Sequence, residues 1–130
     1  MVKNYLKLNN NVKFITNKYY TMLHEFDFKL EKDKIDNQFQ QIDLMNKHAW
    51  MIRRSNPSVS LSIASETHEL SAQIDYTKGV ADSLKNSGTA FYLLSAYEPG
   101  IIDLNKAKDL YLQLGDIKSE SDCIRNLGNI

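Results

Sequence analysis

Glycine and proline are scarce in this chain: five glycines and two prolines are spread over 130 residues. An all-β sandwich or barrel needs many turns, and glycine and proline are the residues that most turns favour. Their scarcity therefore argues against an all-β fold and favours one built from long helices.

Three further absences bound the class of protein. Cys123 is the only cysteine, so no intramolecular disulfide can form, which is consistent with a reducing compartment. No apolar run reaches the length of a signal sequence or a membrane span, so we expect a cytoplasmic protein without a membrane partner. The 16 basic residues are balanced by 16 acidic ones, which leaves no strong field to attract nucleic acid.

Apolar residues recur at steps of three and four, which places each set on one face of a helix. Asn56-Pro57 and Tyr97-Glu98-Pro99 are typical helix starts, and Gly115-Asp116 ends one helix and can cap the next. We therefore predict five or six helices in antiparallel pairs joined by short loops. The sequence leaves open whether residues 1–16 pack against these helices or extend into solvent. The apolar stripes fall within residues 19–30, 35–52, 61–74, 80–94, 101–114 and 117–130.

An internal repeat of 40 residues is the strongest signal in the sequence. A shift by this length places Asn46 on Asn86, Asn86 on Asn126, and Gly88 on Gly128. A fixed period of this size in a helical chain is typical of stacked helix pairs, each of which buries its apolar face against its neighbours. The predicted fold is therefore all-α, made of stacked antiparallel helix pairs.

The segment 84–94, with the sequence LKNSGTAFYLL, resembles the first helix of a tetratricopeptide repeat, in which small residues precede aromatic ones. Residues 123–130 look like the opening of the next copy. This resemblance implies a tetratricopeptide-like α-solenoid with a right-handed superhelix, in the longer-repeat variant found in bacterial signalling proteins. Repeats of the HEAT or armadillo type share the longer period and remain an alternative. The residues that resemble the second helix are Tyr97, Gly100, Leu104 and Ala107.

We divide the chain into an N-terminal arm with a leading helix, residues 1–40, and a repeat region, residues 41–130. The repeat region would hold about two full copies and the first helix of a third. A half repeat leaves an apolar face uncovered. We therefore expect this chain to be the amino-terminal piece of a longer protein, or alternatively its last helix to be a cap.

Residues that could carry chemistry are isolated in this sequence. His24, His48 and His68 are too far apart to share the close helical spacing of paired metal ligands. Nothing near Cys123 could serve as its catalytic base. We predict no catalytic site, metal or cofactor. Trp50 would be either a binding anchor or a residue packed between helices.

The three asparagines of the repeat, Asn46, Asn86 and Asn126, would form a ladder along the concave surface of stacked copies. An amide side chain both donates and accepts, so it can bond to the backbone of an extended peptide. The alternative is that these asparagines only bridge adjacent helices. Resemblance to the polar groove of tetratricopeptide adaptors extends the candidate peptide-binding site to Lys85, Thr89, Tyr92, Arg125 and Asn129.

The predicted function is an interaction module that binds a protein or peptide segment and is not an enzyme. A homodimer and a covalently linked downstream signalling domain are both compatible with it. The alternative function is the N-terminal sensory or dimerising region of a larger bacterial signalling enzyme, such as a histidine kinase, a cyclase or a phosphatase. A small enzyme in its own right is a third hypothesis, which would need convergent polar groups in a deep pocket.

Overall fold

The computed structural model describes residues 37–130, and every regular element within them is an α-helix. None of these helices is long and apolar enough to cross a membrane. The predicted arm at 1–16 and the apolar stripe at 19–30 lie outside the described residues. The five helices are α1 Gln38–Ile52, α2 Pro57–Gln73, α3 Thr77–Leu93, α4 Tyr97–Leu114 and α5 Ile117–Asn129.

Each helix packs against the next one along the chain, and α1 also packs against α3. Since only short loops connect these helices, packed neighbours must run antiparallel. Equivalent helices begin 40 residues apart, α2 at Pro57 and α4 at Tyr97, and likewise α3 at Thr77 and α5 at Ile117. The prediction of an all-α fold in which neighbouring helices pack together is thus confirmed within this part of the chain.

The helix starts follow the local signals in the sequence. Asn56 caps α2, its Oδ1 accepting a hydrogen bond from the backbone nitrogen of Val59 at 3.3 Å, and Pro57 occupies the first turn. Asp116 caps α5 in the same way, with Oδ1 accepting from the nitrogen of Ser119 at 3.1 Å. These caps satisfy donors that the first helical turn leaves without a partner.

Three of the four turns share one geometry, which recurs every 20 residues. Asp75, Ser95 and Gly115 follow α2, α3 and α4, and all three have a positive φ, between 54° and 73°. After each of them the next backbone N–H donates to a carbonyl five residues earlier, as in the turn from Tyr76 to Ser71 at 2.8 Å. This pattern is the Schellman motif, which ends a helix and reverses the chain.

Two hydrophobic clusters form the core, and a layer of small and polar residues separates them. Gly79 lies in this layer, where an added Cβ would be 2.3 Å from Oγ of Ser71. Thr67 is also fully buried there. The first cluster is built mainly by α1 and α2 and includes Ile42, Met45, Ala49, Ile52, Ile63 and Leu70. The second joins α3, α4 and α5 and includes Ala81, Leu84, Leu104, Ala107, Tyr111 and Cys123.

Stability is expected to fall in mild acid because of His48 on α1. This side chain is only 4% exposed, and burial lowers its pKa from 6.5 to about 4. Between these two values the unfolded chain binds more protons than the folded one, so the free energy of unfolding decreases as the pH falls from 6.5 towards 4. Thermal melts across this range should show a smaller decrease for His48→Gln than for the unaltered chain. His68→Gln is the control, because it removes a histidine that is exposed on α2. Equal slopes for both variants would contradict this account.

Candidate functional site

An open groove with a volume of about 660 Å³ lies where the ends of α1, α3 and α5 come together. The α1 side is formed by Trp50 in the last helical turn and by Arg53 and Arg54 in the loop that follows. Pro57, the first residue of α2, completes this side. The groove thus combines an aromatic surface with two cations on one wall.

The opposite wall comes from α3 and α5. Tyr92 and Leu93 belong to the last turn of α3, and Arg125, Asn126 and Asn129 to the second half of α5. Leu93, Arg125 and Asn129 are exposed, whereas Tyr92 and Asn126 are half-buried. Of the candidate peptide-binding residues, the groove brings together Thr89, Tyr92, Arg125, Asn126 and Asn129.

Asn46 and Asn86 do not line the groove, because both side chains are buried between helices at 3% and 1% exposure. Asn46 Nδ2 donates to the carbonyl of Gly79 at 3.2 Å, and its Oδ1 accepts from Thr67 Oγ1 at 2.7 Å. Asn86 Nδ2 donates to the backbone carbonyl of Asn46 at 3.0 Å. These contacts join α1, α2 and α3, so they favour the alternative in which these two asparagines bridge adjacent helices.

Asn126, the third asparagine of the repeat, has a different environment from the other two. It is half-buried at the groove, and its Nδ2 donates to Oγ1 of Thr89 at 3.0 Å. Thr89 is itself only 4% exposed. This bond links α5 to α3, the two helices that together form this wall of the groove.

Trp50 is flanked by two cations. The guanidinium carbon of Arg53 lies 3.7 Å from the ring centroid of Trp50, and Nζ of Lys85 lies 4.3 Å from it. Both distances are within the range of a cation–π interaction. Lys85 belongs to α3, so this contact reaches from α3 to the end of α1 and places Lys85 beside the groove.

Arg53 and Arg54 are site residues that the sequence reasoning missed. Burial and the positive charges of Arg54 and Arg125 lower the pKa of Arg53, while Asp122 raises it. The arginine side chains therefore repel one another across the groove. The available signal was the spacing of Trp50 and Arg53, three residues apart at the end of one predicted helix, which places them on the same side.

Two buried groups of the second hydrophobic cluster, the Cys123 thiol and the Tyr111 phenol, have raised pKa values. Burial raises the pKa of Cys123 to about 11, so its thiol stays protonated at neutral pH and is a weak nucleophile. Burial and Asp82, whose carboxylate accepts from the Tyr111 hydroxyl at 2.5 Å, raise the pKa of that phenol. Among residues 37–130 no group of three or more His, Cys, Asp and Glu side chains could hold a metal ion.

Comparisons of this chain with protein-family models, with curated proteins and with solved structures gave no match.

Proposed function

We propose that this chain is a tetratricopeptide-like module that binds an extended protein or peptide segment in the groove and has no catalytic activity of its own. One observation carries the proposal. Every second helix, α1, α3 and α5, contributes to one open groove of about 660 Å³, and together they supply aromatic, amide and guanidinium groups. Ligand-binding clefts commonly fall in this size range and combine apolar surface with a few polar groups. Tyr92 and Trp50 supply the apolar surface, and Asn129 supplies an exposed amide.

Close contact between α3 and α4 supports the tetratricopeptide architecture. Gly88 and Gly100 lie where the helices cross, and an added Cβ on Gly100 would be 3.1 Å from the carbonyl oxygen of Gly88. Small residues at a crossing allow this approach, as the resemblance to the family implies. If further copies stacked in the same sense, they would form a right-handed superhelix with α1, α3 and α5 on its concave side.

A selection from random nine-residue peptides displayed on phage tests this function. We expect enriched peptides to lose at least tenfold in affinity for Tyr92→Ala, a change that removes about 1.4 kcal/mol or more of contact energy. Leu112→Ala is the matched control, because Leu112 is 64% exposed on α4 and lies outside the groove. The proposal would be refuted by peptides that bind the unaltered chain and both variants with equal affinity. A selection in which no peptide is enriched would also refute it.

The exposed apolar face of α5 favours a second candidate, the sensory or dimerising region of a larger signalling enzyme. Ile117 and Ile124 on this helix are 74% and 51% exposed. Gly128, the counterpart of Gly88, has no neighbour within 4 Å of an added Cβ. Such a face can receive another helix. If that helix comes from a second copy, sedimentation should show a dimer that Ile124→Asp dissociates; a monomer at high protein concentration would argue against self-association.

A further inference from the structure

The groove carries charge of one sign. Arg53, Arg54 and Arg125 line it, and among the residues that the structure describes no Asp or Glu side chain does so. Since the whole chain has equal numbers of acidic and basic residues, this excess is local. Asp122 forms an ion pair with Arg125 from the preceding turn of α5, which offsets part of one of the three charges.

The arginines differ in how they are held. Arg53 lies over the ring of Trp50, and its Nη1 donates to the carbonyl of Trp50 at 2.7 Å. Arg54 is exposed, and within residues 37–130 it makes no hydrogen bond or ion pair. A guanidinium group can bond to a carboxylate through two parallel hydrogen bonds. Arg53 is thus positioned before a ligand arrives, which reduces the entropy lost on binding, and the donors of Arg54 are available.

Apolar surface lies between these cations. Leu93 is 38% exposed, and Tyr92 and Trp50 are half-buried in the groove walls. A ligand that fits must therefore present negative charge at the two sides and apolar groups between them. Successive side chains of an extended peptide point in opposite directions, so alternate residues can satisfy the two requirements.

We infer that the groove selects acidic segments, in which Asp or Glu side chains alternate with apolar ones along an extended peptide. The carboxylates would bind Arg54 and Arg125 across the groove, and Arg53 would contribute charge from beside Trp50. Recognition would not require a free carboxyl terminus, because the cations lie along the groove walls. This inference rests on the proposed function and specifies the partner of the same groove.

Single-stranded nucleic acid is the main rival ligand, since it also offers negative charge and flat apolar rings. Proteins that bind it usually carry a basic stripe long enough to follow several phosphates. The chain as a whole has no net charge, and the described cations of the site are confined to one groove. The charge distribution therefore favours a short acidic peptide.

Three pools of eight-residue peptides test the inference. All are acetylated and amidated, so that any preference must come from side chains. Each pool has random apolar residues at alternate positions, and the others are Asp and Glu, Asn and Gln, or Lys and Arg. At low ionic strength we expect the acidic pool to bind roughly tenfold more tightly than the amide pool, and added salt at about 0.5 M to remove the difference.

Matched variants assign the preference to the groove. Arg54→Ala should weaken binding of the acidic pool by roughly fivefold and leave the amide pool unchanged. Lys106→Ala removes the same charge from an exposed site on α4 outside the groove and should change the affinity for neither pool.

Equal affinity for acidic and amide pools would overturn the inference while leaving the peptide-binding function in place. If no pool binds, or Tyr92→Ala has no effect on any pool, the proposed function fails. A ten-nucleotide oligothymidine that displaces the acidic pool and loses affinity in Arg54→Ala would instead show a nucleic-acid site.

Discussion

Replacing Asn46 with alanine is expected to destabilise the fold by about 2–4 kcal/mol. The change removes the bonds from Asn46 to the carbonyl of Gly79 and from Thr67 Oγ1 to Asn46 Oδ1. Thr67 is fully buried and keeps one acceptor, the carbonyl of Ala64 at 3.1 Å, but water has poor access to the other groups that lose a partner. Leaving buried polar groups unsatisfied costs more than an ordinary hydrogen bond contributes. The loss falls between the two hydrophobic clusters, where α1, α2 and α3 meet.

Urea denaturation measures this effect, and the third asparagine of the repeat gives the matched control. Asn126→Ala removes one hydrogen bond, to Thr89 at 3.0 Å, from a half-buried side chain and should cost less than about 1 kcal/mol. The ratio of the two losses in free energy of unfolding tests whether burial makes the bonds of Asn46 stronger contributors. Both variants make the same chemical change at equivalent positions of the repeat, so only the surroundings of the side chain differ. Similar losses for the two would show that the buried bonds of Asn46 contribute little.

The same asparagines show where reasoning from the sequence stops. Their spacing indicated a repeat of 40 residues, and helix starts recur at the same spacing. Their role depends on which neighbours cover them, and a one-dimensional pattern does not contain that information. Asn46 and Asn86 lie beneath packed helices, whereas Asn126 is on α5, which packs chiefly against α4. An identical residue at an identical repeat position thus bridges helices in all three cases, but only Asn126 also borders the groove.

Helix ends were predictable where side chains set the local geometry. The caps at Asn56 and Asp116 and the left-handed turn at Gly115 all follow from residue type. Asp75 and Ser95 adopt the same positive φ as Gly115 without glycine's freedom. Packing of the flanking helices must hold them in this conformation, so the sequence indicated the turn at Asp75 only as the gap between the apolar stripes at 61–74 and 80–94.

The groove contains some of the candidate residues. Resemblance to tetratricopeptide adaptors suggested Tyr92, Arg125 and Asn129 as peptide-binding residues, and all three line the groove; their role in binding stays a prediction. Arg53 and Arg54 follow the last turn of α1. The spacing of Trp50 and Arg53 could have placed Arg53 beside Trp50, but the direction of Arg54 depends on the geometry of the loop. The charge of the groove therefore became visible only in the structure, where the ends of α1, α3 and α5 come together.

Replacing Gly88 with valine is expected to destabilise the fold by about 3 kcal/mol. A Cβ at this position would lie 2.7 Å from Cγ of Leu104 and 3.0 Å from its backbone nitrogen. The carbonyl oxygen of Gly100 would be 3.1 Å away. Leu104 is fully buried, and two of the three nearest atoms belong to backbone, so α4 must move away from α3. That movement loosens the second hydrophobic cluster, which both helices share.

Gly128→Val provides the control within the same chain. Gly128 is the repeat counterpart of Gly88, yet an added Cβ there meets no atom within 4 Å. Glycine is a poor helix former, so valine favours the helix at both positions, though less at Gly128 in the last turn of α5; the larger difference between the two positions is in packing. We expect Gly128→Val to change the free energy of unfolding by less than about 0.5 kcal/mol, with Gly88→Ala falling between the two valine variants. The difference in urea midpoint between the valine variants isolates the contact between α3 and α4. If both valine variants have the same urea midpoint, the close approach of α3 and α4 at Gly88 does not contribute to stability.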